Sequence, residues 1–240
     1  MLIHTRGIVL KLTSYGDTSI VVSLFTESHG VQSFLVKGAK RPKAKLPANF
    51  FQPLQLLEIV MKFKENGNLQ TLMECKLAPP YLSIPYDVSK TAVVLFLNEV
   101  LFKVLRHQDP DIPLFQFMFN ALSWLDSVEE MPADFHLYFL VRLTRFLGFQ
   151  PQAYRTNERF FDLKNGVFSN FPPPHPMVLE EPQVSLLAQF TTVQLDELAR
   201  LKLTRAERKE LLTKILEYYR LHVDSLGEIK SQAVLEEVLA

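Results

Sequence analysis

Cysteine is almost absent from this chain, with Cys75 standing alone among 240 residues. One thiol excludes a disulfide within the chain and any cysteine-based zinc site, and points to a reducing compartment. Glycine is sparse as well. None of the eight falls in a GxxxxGK[ST], GxGxxG or GxSxG pattern, so neither a nucleotide-phosphate cradle nor a nucleophile elbow is legible. The six histidines (His4, His29, His107, His136, His175, His222) are scattered, without the HExxH or paired spacing of a metal site. No apolar run nears the ~18 residues of a membrane span. The start, MLIHTRGIVLK, lacks the apolar stretch and small-residue cleavage site of a signal peptide. These absences lead to the expectation of a cytoplasmic protein with no enzymatic activity, cofactor or metal. A site made of carboxylates that meet only in space stays open, because sequence does not reveal such pairs.

Net charge is missing too, 26 Lys and Arg against 26 Asp and Glu, yet its distribution is uneven. Residues 1–80 hold ten cations and five carboxylates, and residues 81–240 hold sixteen and twenty-one. A basic head on an acidic body points to nucleic acid at one end. The densest stretch is Val36 to Lys45, VKGAKRPKAK, where Lys37, Lys40, Arg41, Lys43 and Lys45 fall within ten residues. Such a loop repels itself in isolation and gains free energy by displacing counterions from a nucleic-acid backbone. Its other reading is a solvated loop that keeps the protein soluble.

Hydropathy alternates with a period of two through the first third of the chain. RGIVLKL from Arg6, IVVSLFT from Ile20, VQSFLV from Val31, LQLLEIVMKF from Leu54 and LQTLMECKL from Leu69 are five strand candidates. Ser14-Tyr15-Gly16-Asp17, Ser28-His29-Gly30 and Glu65-Asn66-Gly67-Asn68 supply turn chemistry between them. The third and fourth candidates are joined by the long basic loop. Five strands with one long connection suggest a small Greek-key barrel of the OB type, an architecture that often binds oligonucleotides.

After Ala78-Pro79-Pro80 the period changes to that of helices: Thr91–Arg106, a segment opened by Pro113, and one from Ala133 to Leu147 with Gly148 beyond it. Their excess of apolar positions predicts core helices packed as a bundle. Residues 150–182 interrupt with a hairpin pattern around Lys164-Asn165 and a proline-rich loop, before a capping box at Thr204-Arg205-Ala206-Glu207 starts a helix to about Val223. Ser231 to Leu239 closes the chain as a short helix. The expected class is therefore α+β, with an OB-type β-barrel over residues 1–80 and a helical domain over 81–240 carrying an insertion at about 150–182.

Several separated segments resemble one known family. Arg6-Gly7-Ile8-Val9-Leu10-Lys11, Tyr15-Gly16-Asp17, Val21 to Gly30, Val36 to Lys43 and Gln52-Pro53-Leu54 are similar, in order and spacing, to the N-terminal domain of the bacterial RecO family of recombination mediators. Arg142 to Phe149, Phe160 to Phe168 and Gly227 to Leu235 extend the likeness over nearly the whole chain, in the manner of Bacteroidetes members. The resemblance implies a DNA-repair protein that binds single- and double-stranded DNA, anneals complementary strands, and works with RecR and single-strand-binding protein to load RecA, at the nucleoid. Many members carry a four-cysteine zinc module after the helical core. The corresponding stretch here, Tyr154 to Phe168, has no cysteine, so zinc is not expected, and Phe160 with Phe161 would supply packing in its place.

The candidate DNA contacts are Arg6, Lys11, Lys37, Lys40, Arg41, Lys43 and Lys45, long cations able to follow a phosphate track without reading bases. Tyr15 sits in a turn, as a stacking platform or a plain turn residue. The resemblance implies that the acidic, Phe-ending tail of single-strand-binding protein docks on the helical part. Arg142 and Arg145, three apart beside Leu143 and Phe146, suit a terminal carboxylate at an apolar pocket. Their competing use is intramolecular pairing with Glu99 or Asp134. A second class of function also stays open, an adaptor whose barrel binds a protein.

Overall fold

The computed structural model describes residues 1–65, 67–106, 108–224 and 226–239. Asn66 of the expected Asn-Gly turn and His107 lie outside that range. The alternation of apolar side chains becomes five antiparallel strands, β1 (Leu2–Tyr15), β2 (Ser19–Thr26), β3 (Gly30–Val36), β4 (Leu56–Lys62) and β5 (Thr71–Leu77). They form one sheet in the order β3-β2-β1-β4-β5. β1 is longer than its hydropathy pattern predicts because it serves two partners. Leu2–Ile8 pairs with β4, and Gly7–Tyr15 pairs with β2 across an irregularity between Val9 and Lys11. A bulge of this kind bends a strand and lets it contribute to both halves of a curved sheet. At the far edge, Phe34 of β3 forms an isolated parallel bridge with Gln70, the residue before β5, where the Gln70 amide donates to the Ser33 carbonyl at 2.7 Å.

Inside the sheet, Val9, Ile20, Val22, Leu24, Phe34, Leu57, Ile59 and Met61 are buried. Each such side chain, fully removed from water, contributes about 1.5–3 kcal/mol to the folded state. The connection after β3 is drawn onto this core as well, through Ala39 and through Phe51 in a single 3-10 turn at Ala48–Phe51.

The chain divides into two compact units, Met1–Val128 and Glu129–Ala240. The sequence places a boundary near residue 80, where the strands end. In the structure the next two helices, α1 (Val88–Val104) and α2 (Ile112–Ser127), pack with the strands, so the first compact unit runs on to Val128. Phe115 of α2 meets Phe25 with ring centroids 5.8 Å apart, and the Val31 amide donates to the Gln108 carbonyl at 3.0 Å. α1 starts three residues earlier than the periodicity places it, at Val88 rather than Thr91, while α2 starts beside Pro113 as the sequence indicates. Asp87 and Asp111 cap them by accepting from the amides of Lys90 (3.0 Å) and Leu114 (2.9 Å), and a proline stands at the start of α2. Lys90, 1% exposed, donates from Nζ to Ser83 Oγ and to the Val128 carbonyl, tying α1 to the end of the unit.

The second unit begins with α3 (Phe135–Leu143), shorter than the periodicity predicts. Its last turn tightens, with the amides of Arg145 and Phe146 reaching back three residues, and Gly148 then takes a φ of 84°. So α1 and α2 fall in the first unit and α3 in the second, where the apolar excess of all three had suggested one bundle. A three-stranded sheet follows, β6 (Phe160–Asp162), β7 (Val167–Ser169) and β8 (Val178–Leu179), in the order β7-β6-β8. The buried aromatic pair there is Phe161 and Phe168, centroids 4.7 Å apart, and Phe160 is only half-buried. Alternation decides this, since neighbouring residues of a strand point to opposite faces. Asp162 closes the β6–β7 turn by accepting from the amides of Lys164 (2.8 Å) and Asn165 (3.0 Å). The helices α4 (Gln183–Thr192), α5 (Arg205–His222) and α6 (Ser231–Val238) complete the unit, α5 with the full capping box at Thr204 and Glu207. Sequence periodicity missed α4, a short helix without a side-chain cap.

Candidate nucleic-acid interface

The basic loop has a fixed backbone. The Lys40 amide donates to the Thr18 carbonyl at 3.0 Å, the Arg41 amide to the Gly38 carbonyl at 3.0 Å, and the Ala48 amide to the Ala39 carbonyl at 3.1 Å. Ala39, 3% exposed, anchors the segment in the core. Gly38 (φ 69°) and Lys43 (φ 60°) turn the chain in the left-handed region, a conformation that disfavours side-chain-bearing residues. With small residues turned inward, the cations go to solvent: Lys37, Lys40, Arg41, Lys43 and Lys45 are all exposed. No ion pair among the described residues engages any of the five.

The bond from Lys40 to Thr18 joins the loop to the β1–β2 turn, and Lys40 Nζ donates to Ser14 Oγ at 2.9 Å. The structure thus brings the loop to the turn that follows Tyr15, the last residue of β1, which is 58% exposed. Ser14 and Thr18, which fix this juxtaposition, carry no sequence signal beyond turn propensity.

Two candidates are engaged elsewhere. Arg6 lies eight residues from Ser14 along β1, roughly 25 Å at strand spacing. Its guanidinium donates to both carboxylate oxygens of Glu27, at 2.8 and 2.5 Å, and lies 4.6 Å from the centre of the Phe119 ring. The bond to Glu27 raises the Arg6 pKa, and the same bond holds the Glu27 carboxyl below the usual carboxylate range. Arg6 is therefore a compensated charge that joins β1 to α2. Lys11 is exposed, with Nζ 4.4 Å from the centre of the Phe102 ring on α1, a contact worth about 0.5–1 kcal/mol at an exposed site.

On the second unit, Arg142 is engaged within its own unit. Its Nη1 donates to the Thr191 carbonyl at 3.1 Å, in the last turn of α4, where a cation complements the exposed carbonyls. Asp134 is held by Arg208 at 2.6 Å. Arg145 is exposed. Sequence reasoning missed a small cavity in this unit, bounded by His136, Arg205, Arg208, Lys209, Leu212 and Leu235, which also sets cations beside apolar side chains.

Cys75 is half-buried, and burial pushes its thiol up to about 12, far from the thiolate needed for metal binding or nucleophilic attack. No cluster of three or more His, Cys, Asp or Glu residues suited to a metal occurs among the described residues. No helix among them is long and apolar enough to cross a membrane.

A curved five-stranded antiparallel sheet with a pinned cationic loop, followed by helices, defines the class of protein. Comparison with known proteins agrees over nearly the full length. The family model described as "Recombination protein O N terminal" matches residues 1–81, and "Recombination protein O C terminal" matches residues 85–232. The chain is 37% identical over 241 residues to a DNA repair protein RecO of Bacteroides fragilis (strain YCH46), covering 99% of each. It is 35% identical over 239 residues to that of Christiangramia forsetii, again covering 99% of each, and 31% identical over 240 residues to that of Porphyromonas gingivalis, covering 98% of each. This chain belongs to the RecO family, and its role is in DNA repair.

Proposed function

We propose that this chain is a DNA-binding recombination mediator with no chemistry of its own. Residues 1–80 act as an OB-type barrel, closed where β3 approaches β5, that holds single- or double-stranded DNA and promotes annealing of complementary strands. Residues 81–240 act as the partner-binding part, contacting RecR and the acidic tail of single-strand-binding protein so that RecA is loaded onto covered single strands. Its place is the cytoplasm, at the nucleoid. The single observation that supports this most is the pinned loop at residues 37–45, whose five exposed cations have no carboxylate partner among the described residues. Long-range self-repulsion among them is relieved when phosphates replace counterions.

The test is a salt titration of labelled single-stranded DNA binding. Replacing Lys40, Arg41 and Lys43 together by alanine should weaken binding and reduce the slope of log affinity against log salt by about two units, roughly 0.7 for each single-strand phosphate no longer neutralised. Unchanged affinity and slope would move the DNA site elsewhere. The second reading, a protein-interaction adaptor rather than a DNA binder, draws on Leu82, Tyr86 and Val88, which are 80%, 84% and 72% exposed within one short segment directly after the strands. Apolar exposure of this density suits a protein interface. A partner held there would be nearly indifferent to salt.

A further inference from the structure

The basic loop does more than display charge, because its two ends frame a groove. β3 is bridged once, through Phe34, to Gln70 just before β5, and no ladder pairs β3 with β5 among the described residues. Beside that point lies a groove of about 510 Å³, lined by Lys37 and Lys45 together with Leu35, Leu46, Leu69 and Met73. Leu69 and Met73 are each 44% exposed. A single exposed apolar side chain needs no explanation. Two exposed and two half-buried ones, Leu69 and Met73 with Leu35 and Leu46, that line one groove beside two uncompensated cations are a different matter, since the combination matches a polyanion that also presents apolar faces.

Duplex DNA presents its phosphates and keeps the faces of its bases stacked inside. A single strand presents both, and every base has a face that packs against apolar side chains without sequence preference. Resting on the DNA-binding reading above, we propose that this groove is the determinant of single-strand binding. Unpaired bases lie against Leu35, Leu46, Leu69 and Met73 while their phosphates meet Lys37 and Lys45. Lys40, Arg41 and Lys43 serve either form of DNA, because they offer charge alone.

The experiment uses the full chain with Leu69→Gln and Met73→Gln combined, exposed positions whose replacement leaves the core intact, with the urea midpoint as the check on folding. Labelled oligothymidylate and a labelled duplex of equal length are titrated in parallel. The single-strand Kd should rise about tenfold, the order expected when one base no longer packs on the protein. The duplex Kd should move less than about twofold, and the single-strand salt slope should not change, since every phosphate keeps its cation. Equal weakening for both forms, or no weakening for either, overturns the groove assignment while the DNA reading stands. If the unaltered protein binds neither form, the DNA reading itself falls and the groove with it. A second measurement needs no substitution: photocrosslinking of bromodeoxyuridine-containing single strands to the unaltered protein should map to the Leu69–Met73 peptide, and crosslinks confined to other segments overturn the proposal. Weaker binding of an acidic apolar peptide by the variant, with single-strand binding intact, would make the groove a protein site and overturn it too.

Discussion

At the scale of single residues, one buried histidine links stability to pH. His136 is buried on α3, and burial, followed by the charge of Arg208, pushes its pKa down to about 3. In the unfolded chain it titrates near 6.5. Between those values the unfolded chain binds a proton that the folded chain does not, so stability falls as pH drops below about 6.5. The loss from this one group should reach about 2 kcal/mol at pH 5. Asp134 acts in the opposite sense at lower pH, because burial raises its carboxyl pKa despite the bond from Arg208. Urea midpoints at pH 7.5 and pH 5 should therefore differ in the native protein, and His136→Asn should remove most of the difference. Equal shifts in both proteins would assign the pH response to other groups. Residue chemistry of this kind is hardly legible in sequence. Nothing in the residues flanking His136 separates it from the five other histidines, since burial is a property of the packed helix.

Elements depend on a few positions where neighbours crowd. Gly30 opens β3 with a φ of 61°, and a Cβ there would lie 2.2 Å from the Gln108 carbonyl oxygen. Gly16, in the β1–β2 turn, has a nearly equal φ of 60° and nothing within 4 Å of the same position. The two glycines read alike in sequence as turn residues, and the structure separates them. Gly16→Ala should destabilise by about 1 kcal/mol, from backbone conformation alone. Gly30→Ala should exceed that by more than about 2 kcal/mol, because the β3 start must also move away from the chain that precedes α2. Equilibrium urea unfolding of both variants measures the difference, and equal values would mean that the strand shifts freely. Strand periodicity, the proline at the start of α2 and the Thr204 capping box were legible because each depends on neighbours in sequence. The extension of β1 and the early end of α3 were not, because a second strand partner decides the first and a tightened last turn the second.

The whole molecule separates charge by region, a basic β head and an acidic remainder, and membership of the RecO family gives that separation a setting in DNA repair. If the remainder holds an acidic tail as proposed, Arg145→Glu should weaken an acidic peptide ending in phenylalanine about tenfold while single-strand affinity stays unchanged, the effect expected of one charge-assisted hydrogen bond. Arg142→Glu should do the same and also lower the thermal midpoint, because it removes the cation at the end of α4. Peptide anisotropy with both variants checks this. An unchanged peptide affinity would direct the search to the cavity beside Arg205, Lys209 and Leu212.

The sequence by itself determined the α+β order of elements, the family likeness and the basic loop, because alternation, capping and charge density are local patterns. It could not separate compensated cations from free ones. Arg6 and Lys40 read as equivalent candidates, yet Arg6 is neutralised by Glu27 across twenty-one residues of chain, whereas Lys40 meets only a serine hydroxyl. Tertiary structure alone decided that difference, and it alone placed Leu69 and Met73 beside Lys37 and Lys45. The physical reason is shared: the energy of a charge or an apolar side chain depends on what packing brings within a few ångströms of it, and packing joins residues that sequence leaves far apart.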